Sequence, residues 1–268
     1  AAGSGGSAGG GGAAGSGGSA GGGGGAAGSG GSAGGGGGAP AYNPCPTNGN
    51  PCRIMPLGDS ITDGAASSDG GGYRKELFRL ALMHQQKLTF VGSHENGPLM
   101  VDGVPFPRRQ EGHSGWTIAD GGGRDGLDDQ IQGWLASTPA DIVTLMIGTN
   151  DVDISLDLSN AGQRLGALMD KIISAAPNAL LVVAQIVPTK EDSINQRVMT
   201  FNATIAPLVK ARADQGKHVV AVDMYGAFTK NPDYKNAYMA DILHPKDPGF
   251  VVMAQVWYDA FGALLPPQ

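Results

Sequence analysis

Three short polar stretches, far apart in the chain, carry the residue types that acyl transfer needs. In the first, the apolar run Ile54–Leu57 breaks at Gly58 and presents Asp59 and Ser60. A serine hydroxyl is a weak nucleophile, useful only beside a base and a set of donors that can hold an oxyanion. The second stretch, Gly148-Thr149-Asn150-Asp151, follows another apolar run and offers the Asn150 amide as such a donor. Losing one side-chain donor of this kind costs about 3 kcal/mol of transition-state stabilisation. The third, Asp241-Ile242-Leu243-His244-Pro245, offers His244 as the base. Asp241, three residues earlier, can reach the other ring nitrogen across one tight turn and fix its tautomer. The order serine, aspartate, histidine is that of the α/β-hydrolases, yet no G-x-S-x-G surrounds Ser60. A different serine hydrolase scaffold is implied.

Such a site requires elements that bring distant segments to one edge. Asp141–Ile147 and Ala179–Val187 are near-continuous apolar runs, the pattern of strands covered on both faces. Arg53–Leu57, Leu88–Val91 and His218–Asp223 supply three more strands. Helical spacing marks Tyr73–Gln86, Leu158–Ala176 and Ile194–Gln215, the last despite Pro207, and a final helix over Pro248–Leu265. Asp128–Leu135 reads as a short helix, and the polar, Gly- and Pro-containing Ser93–Gly112 as an extended loop. Strands alternating with helices predict an α/β fold, a parallel sheet between helix layers. In such sheets reactive residues gather at the carboxyl ends of the strands, where Ser60 and Asn150 both lie.

The blocks GDSIT (Gly58–Thr62), SGWT (Ser114–Thr117), GTND (Gly148–Asp151) and DxxH (Asp241–His244) together resemble the SGNH (GDSL) hydrolase superfamily. They occur in the family's order and span nearly the whole ordered part of the chain. The resemblance implies a flavodoxin-like three-layer α/β/α sandwich on a five-stranded parallel sheet. It implies Ser60 as nucleophile and backbone oxyanion donor, Gly115 as second backbone donor and Asn150 as side-chain donor. His244 would be the base and Asp241 its orienter; Gly112 is a nearby rival of Gly115. The longer phrases RIMPLGDSIT, FVGS, EGHSGWTI, IGTND and DILHP are similar to the acetylxylan esterases of carbohydrate esterase family 3. That similarity implies a serine esterase removing O-acetyl groups from a plant cell-wall polysaccharide, acetylxylan foremost. Neither the chemistry nor the blocks require a cofactor or a metal.

Two neighbouring residues admit more than one reading. His113 is either a substrate contact or a residue that stabilises the long loop. Trp116 could wall an acyl pocket, form a sugar platform or pack beneath the loop. Asp59 and Asp151 read as structural, binding the turn after the first strand and the loop after the strand Asp141–Ile147. The acidic stretch Asp120–Asp129 fits no EF-hand spacing and reads as a solvated turn leading into a helix. Cys45 and Cys52 flank a Pro/Asn/Gly-rich segment, and pairing them closes a short loop worth about 2–3 kcal/mol.

The chain has 268 residues and a net charge of −6, with no basic run longer than the Arg108-Arg109 pair, so a nucleic-acid footprint is not visible. The longest apolar run, Ala179–Val187, is interrupted by Gln185 and is far too short to cross a bilayer. Residues 1–38 contain only Gly, Ala and Ser, while residues 39–268 have the length of one α/β domain. A Gly-rich coil of that length spans roughly 30–40 Å and reads as a linker, natural or engineered. The expectation is a secreted esterase tethered to a carbohydrate-binding or second catalytic module, acting without membrane or nucleic-acid partners. The alternatives are an SGNH lipase or lysophospholipase, a general short-chain carboxylesterase and a non-catalytic carbohydrate-binding module.

Overall fold

The computed structural model describes residues 42–268; the low-complexity segment 1–38 and its junction with the domain lie outside the described residues. The first strand, β1 (Cys52–Gly58), turns into the one-turn helix α1 (Ser60–Asp63). After α2 (Gly72–Met83) come five short strands: β2 (Leu88–Phe90), β3 (His94–Glu95), β4 (Met100–Val101), β5 (Val104–Pro105) and β6 (Arg109–Gly112). A regular alternation follows: α3 (Ile131–Ser137), β7 (Ile142–Met146), α4 (Thr149–Asp153), α5 (Leu158–Ala175), β8 (Leu180–Ala184), α6 (Asp192–Ala213) and β9 (Val219–Val222). The helices α7 (Met224–Thr229), α8 (Tyr234–Ala237) and α9 (Asp247–Phe261) complete the order.

The sheet is the predicted parallel one, with a difference at one position. β1, β7, β8 and β9 run side by side in parallel, and β7 and β8 are buried at every residue. Only strands covered by helices on both faces can be so uniformly apolar. The remaining place, beside β1, is filled by two strands in succession. β2 pairs with the start of β1 (Cys52 with Leu88) and β6 with its end (Gly58 with Gly112). The segment Ser93–Gly112 is therefore not a loop: it carries β3, the β4–β5 hairpin and β6, and β3 runs antiparallel to β6 at the edge. Its sequence hides this because β6 reads Arg-Gln-Glu-Gly, with no apolar residue. Gln110 and Glu111 are fully buried there, and hydrogen bonds replace apolar contact: Gln110 donates to Asp63 Oδ1 at 2.9 Å, and Glu111 accepts from the Ser93 hydroxyl at 2.9 Å.

Other bounds shift by a few residues. The helix predicted to reach Gln86 stops at Met83, and α6 continues through Pro207. α2 packs on α9, whereas α3 and α6 pack on α5, giving the helix layers on the sheet. Cys45 and Cys52 are joined by the expected disulfide. No helix among the described residues is long and apolar enough to cross a membrane.

One buried cation ties the segments around α1 together. Arg74, on α2, has no exposed surface and, among the described residues, no carboxylate within ion-pair distance; its guanidinium donates to five carbonyls, those of Thr62, Asp63, Gly70, Asn96 and Arg108, at 3.0–3.3 Å. Burial pushes its pKa down to about 10, which leaves it charged at neutral pH. Arg74→Met removes the guanidinium from all five carbonyls, leaving the Asp63 and Arg108 oxygens only their bonds from Asn96, and is expected to lower unfolding stability by about 3–5 kcal/mol. Arg74→Lys recovers only part, because an ammonium has three donors and cannot fork. Urea unfolding measures both, and an unchanged midpoint for the Met variant refutes the role.

Candidate active site

The polar blocks do meet at the carboxyl edge of the sheet. β1 ends at Gly58, where a side chain would overlap the Met146 carbonyl of β7 and the Thr62 hydroxyl, so only glycine permits this approach. Asp59 caps α1 by accepting the Ile61 N–H at 3.0 Å, and Ser60 opens the helix. Helix geometry leaves the first N–H groups without intrahelical partners. Among the described residues the Ser60 N–H has no acceptor.

Ser60 Oγ lies 2.9 Å from His244 Nε2. The other ring nitrogen, Nδ1, lies 2.9 and 3.1 Å from the two oxygens of Asp241. The same carboxylate accepts the Leu243 and His244 N–H groups at 2.8 Å, so one tight turn holds base and orienter as a unit. Partial burial pushes the Asp241 carboxyl up. The His244 N–H and ring and the Leu243 N–H outweigh it, holding the group below the ordinary carboxylate range. The turn is anchored by Lys190 N–H, which donates to Ile242 O at 3.0 Å.

Gly115 and Asn150 stand in adjacent turns. The loop after β6 is pinned to the end of β1 by the His113 N–H, which donates to Gly58 O at 2.9 Å. Gly115 follows with φ 85°, a left-handed conformation natural only to glycine, and among the described residues its N–H has no acceptor. Asn150, on α4, donates one amide hydrogen to Trp116 O at 2.7 Å and keeps the second. Gly112, the rival donor, is excluded because its N–H already donates to the Gln110 side chain. The arrangement thus sets a serine hydroxyl against an imidazole, the imidazole against a carboxylate, and three N–H groups in neighbouring turns. That set suits attack on an acyl carbon.

The flanking residues resolve differently. His113 is only 6% exposed, with its Nε2 2.9 Å from Glu111 Oε2 and its ring stacked on Trp134 and Trp116, centroids 4.4 Å apart in each pair. These contacts tie the ring to the loop and support the loop-stabilising reading. Trp116 is half-buried on this stack, and it also supplies the carbonyl that orients Asn150. Asp151 is structural as expected, bridging the Ile118 N–H at 3.0 Å and Arg164 at 2.9 Å. The turn in Asp120–Asp129 is present, but helix α3 begins only at Ile131. Arg124 within it was not singled out by any spacing, yet it donates to Gly115 O at 2.9 Å. Glu111 was hidden likewise, inside an unrecognised strand.

Residues 57–251 match the GDSL-like lipase/acylhydrolase family. Among solved structures, the chain is similar to a Clostridium thermocellum family 3 carbohydrate esterase, at 33% identity and a TM-score of 0.65, covering 77% of this chain and 93% of that one. It is also similar to a carbohydrate esterase family 3 protein from Talaromyces cellulolyticus, at 25% identity and a TM-score of 0.60, covering 77% and 94%. A curated multidomain esterase of Ruminococcus flavefaciens is 29% identical over 224 residues, 77% of this chain. The chain spans 28% and 54% of the lengths of the two curated relatives it matches.

Asp59 is the one carboxylate at the site left with a bare oxygen. It is fully buried, and neither its Oδ2 nor the nearby Thr149 hydroxyl makes a hydrogen bond of normal geometry. Burial raises its pKa from the ordinary 3.8 to about 6, against the opposing pull of the Ile61 N–H, Thr149 and His244. Between those values the folded protein holds a proton that the unfolded chain has released, so stability falls as pH rises through this window. The full loss, up to about 3 kcal/mol, is reached above pH 6. Asp59→Asn keeps the cap acceptor and removes the charge. The variant is expected to be more stable than the parent at pH 7.5, with the difference vanishing near pH 4. Thermal unfolding across that range tests it, and a difference independent of pH contradicts the assignment.

Proposed function

We propose, from the premise that the chain belongs to the GDSL-like lipase/acylhydrolase family and is a carboxylic ester hydrolase, that it removes O-acetyl groups from a plant cell-wall polysaccharide, acetylxylan foremost. The observation that carries the ester chemistry is the continuous pair of contacts Ser60–His244–Asp241, at 2.9 Å and 2.9 Å. The relation to family 3 carbohydrate esterases supports the acetyl and polysaccharide part.

Ser60 Oγ attacks the ester carbonyl carbon while its proton passes to His244 Nε2. The Ser60 and Gly115 N–H groups and the free N–H of Asn150 take the carbonyl oxygen as it becomes an oxyanion. As the intermediate collapses, the bond to the sugar oxygen breaks and His244 returns the proton to that oxygen. Water then attacks the acetyl-Ser60 ester with its proton going to His244, acetate leaves, and Ser60 recovers its hydrogen. Asp241 holds the ring and offsets the imidazolium charge in both halves.

The disulfide Cys45–Cys52 fits an oxidising, extracellular setting. Residues 1–38 would tether residues 39–268 to a further module, in line with a curated relative that is a multidomain esterase.

Ser60→Ala is expected to lower kcat on an aryl acetate by at least about 1,000-fold; near-parental turnover would sink the reading. Among aryl esters, activity should fall steeply from acetyl to butyryl, whereas a lipase or lysophospholipase would rise beyond acetyl. Acetate release should be fastest from acetylated xylan when compared with acetylated pectin, mannan and chitin at equal acetyl content.

A further inference from the structure

Arg124 sits on a turn whose geometry is set by glycines. Gly121 and Arg124 exchange N–H to carbonyl bonds at 3.0 Å each, and the two residues between them, Gly122 and Gly123, have φ of 61° and 75°. A two-residue turn with both central φ positive is the hairpin form that glycine adopts without steric cost. The turn is fastened to the body of the loop: Thr117 N–H donates to Asp125 O at 2.9 Å, Leu127 N–H to Thr117 O at 3.1 Å, and Gly126 N–H to Asp120 Oδ1 at 2.5 Å. This framework directs the Arg124 guanidinium back toward the site.

One guanidinium nitrogen makes both of its contacts. Arg124 Nη1 donates to Gly115 O at 2.9 Å and, more weakly, to Asn150 Oδ1 at 3.4 Å. Among the described residues no carboxylate lies within ion-pair distance of Arg124, so its charge is not neutralised locally. The Asn150 amide is therefore held at both ends: its oxygen faces a cationic donor, and one of its N–H groups faces Trp116 O at 2.7 Å. Turning that amide over would set its oxygen against a carbonyl and its NH2 against a guanidinium, losing two hydrogen bonds and creating two repulsions.

We propose that Arg124 is a positioning residue of the oxyanion hole, acting through the Asn150 amide with the Gly115 carbonyl as its anchor. It selects the amide orientation that leaves an N–H for the oxyanion, and it polarises that N–H by donating to the amide oxygen. The proposal rests on the reading of Ser60, Gly115 and Asn150 as oxyanion donors given above.

The test compares Arg124→Met, Arg124→Lys, Asn150→Ala and the Arg124→Met/Asn150→Ala double variant on an aryl acetate, with phenylboronic acid as a tetrahedral probe bound to Ser60. Arg124→Met should lower kcat about 10- to 100-fold with KM changed less than about 3-fold. Its inhibition constant for the boronate should rise in parallel, which loosening elsewhere in the fold would not cause. Arg124→Lys should regain part of kcat, and the double variant should be no slower than Asn150→Ala alone. An unchanged kcat in a folded Arg124→Met protein overturns the proposal, as do losses that multiply in the double variant. If Asn150→Ala itself keeps full activity, the oxyanion reading fails; if Asn150→Ala is impaired and Arg124→Met is not, only the role of Arg124 fails.

Discussion

A guanidinium buried without a counterion is the constraint on which the active edge of this fold depends. Arg74 is held by carbonyls alone, and those carbonyls come from α1, the loop before α2, the turn after β3 and the entry to β6. A hydrogen bond to a charged group is worth about 1.5–3 kcal/mol, more than a neutral one, and five converge on this cation. Their joint effect is to fix the backbone just beyond Ser60. A nucleophile that must meet His244 at hydrogen-bond distance gains more from a rigid turn than from additional hydrophobic area.

Beyond Arg74, the edge is built from buried polar groups, each satisfied to a different degree. Asp151 uses one oxygen for the Ile118 N–H and the other for Arg164, and thereby links α4 to the loop carrying Gly115. Glu111 receives the Ser93 N–H and hydroxyl and meets His113, whose ring in turn contacts two tryptophans. Of these three carboxylates only Asp59 keeps a bare oxygen, and the Thr62 and Thr149 hydroxyls are unpaired as well. Unsatisfied buried carboxylates are rare because they cost stability, and this one lies directly before the proposed nucleophile. The cost is confined to the place where geometry around Ser60 matters most.

How far the sequence discloses this depends on which force fixes each part. β1, β7 and β8 are legible because burial leaves near-continuous apolar runs, and the strand-ending positions of Ser60 and Asn150 follow from β1 and β7. Asp241 and His244 are legible because three-residue spacing suffices for a carboxylate to reach its own histidine. β6 is not, because Arg109-Gln110-Glu111-Gly112 enters the sheet through hydrogen bonds whose partners, Asp63 and Ser93, are remote in sequence. Arg124 is missed for a related reason. The triple glycine announces a turn, but the direction in which the turn aims its arginine is set by Thr117 and Asp120, through bonds that no local pattern records. His113 admits two readings in the sequence, and its contacts with Glu111, Trp116 and Trp134 make it part of an aromatic cluster.

Two aspartates lie near His244, and their environments separate them. Asp241 is more than half exposed, with a side-chain exposure of 56%, yet its carboxyl is held below the ordinary range once the N–H donors of its own turn outweigh partial burial. Asp59 is fully buried, and burial drives its pKa to about 6. Only a carboxylate that stays ionised can offset an imidazolium, and only one in contact with Nδ1 can fix the tautomer that leaves Nε2 free to accept the Ser60 proton. Asp241 meets both conditions. Asp59, although adjacent to Ser60, makes no hydrogen bond to the ring, and its charge is the one the fold resists. Proximity in sequence to Ser60 therefore does not favour Asp59 as the orienting acid, and the hydrogen-bonded turn supports the role proposed for Asp241.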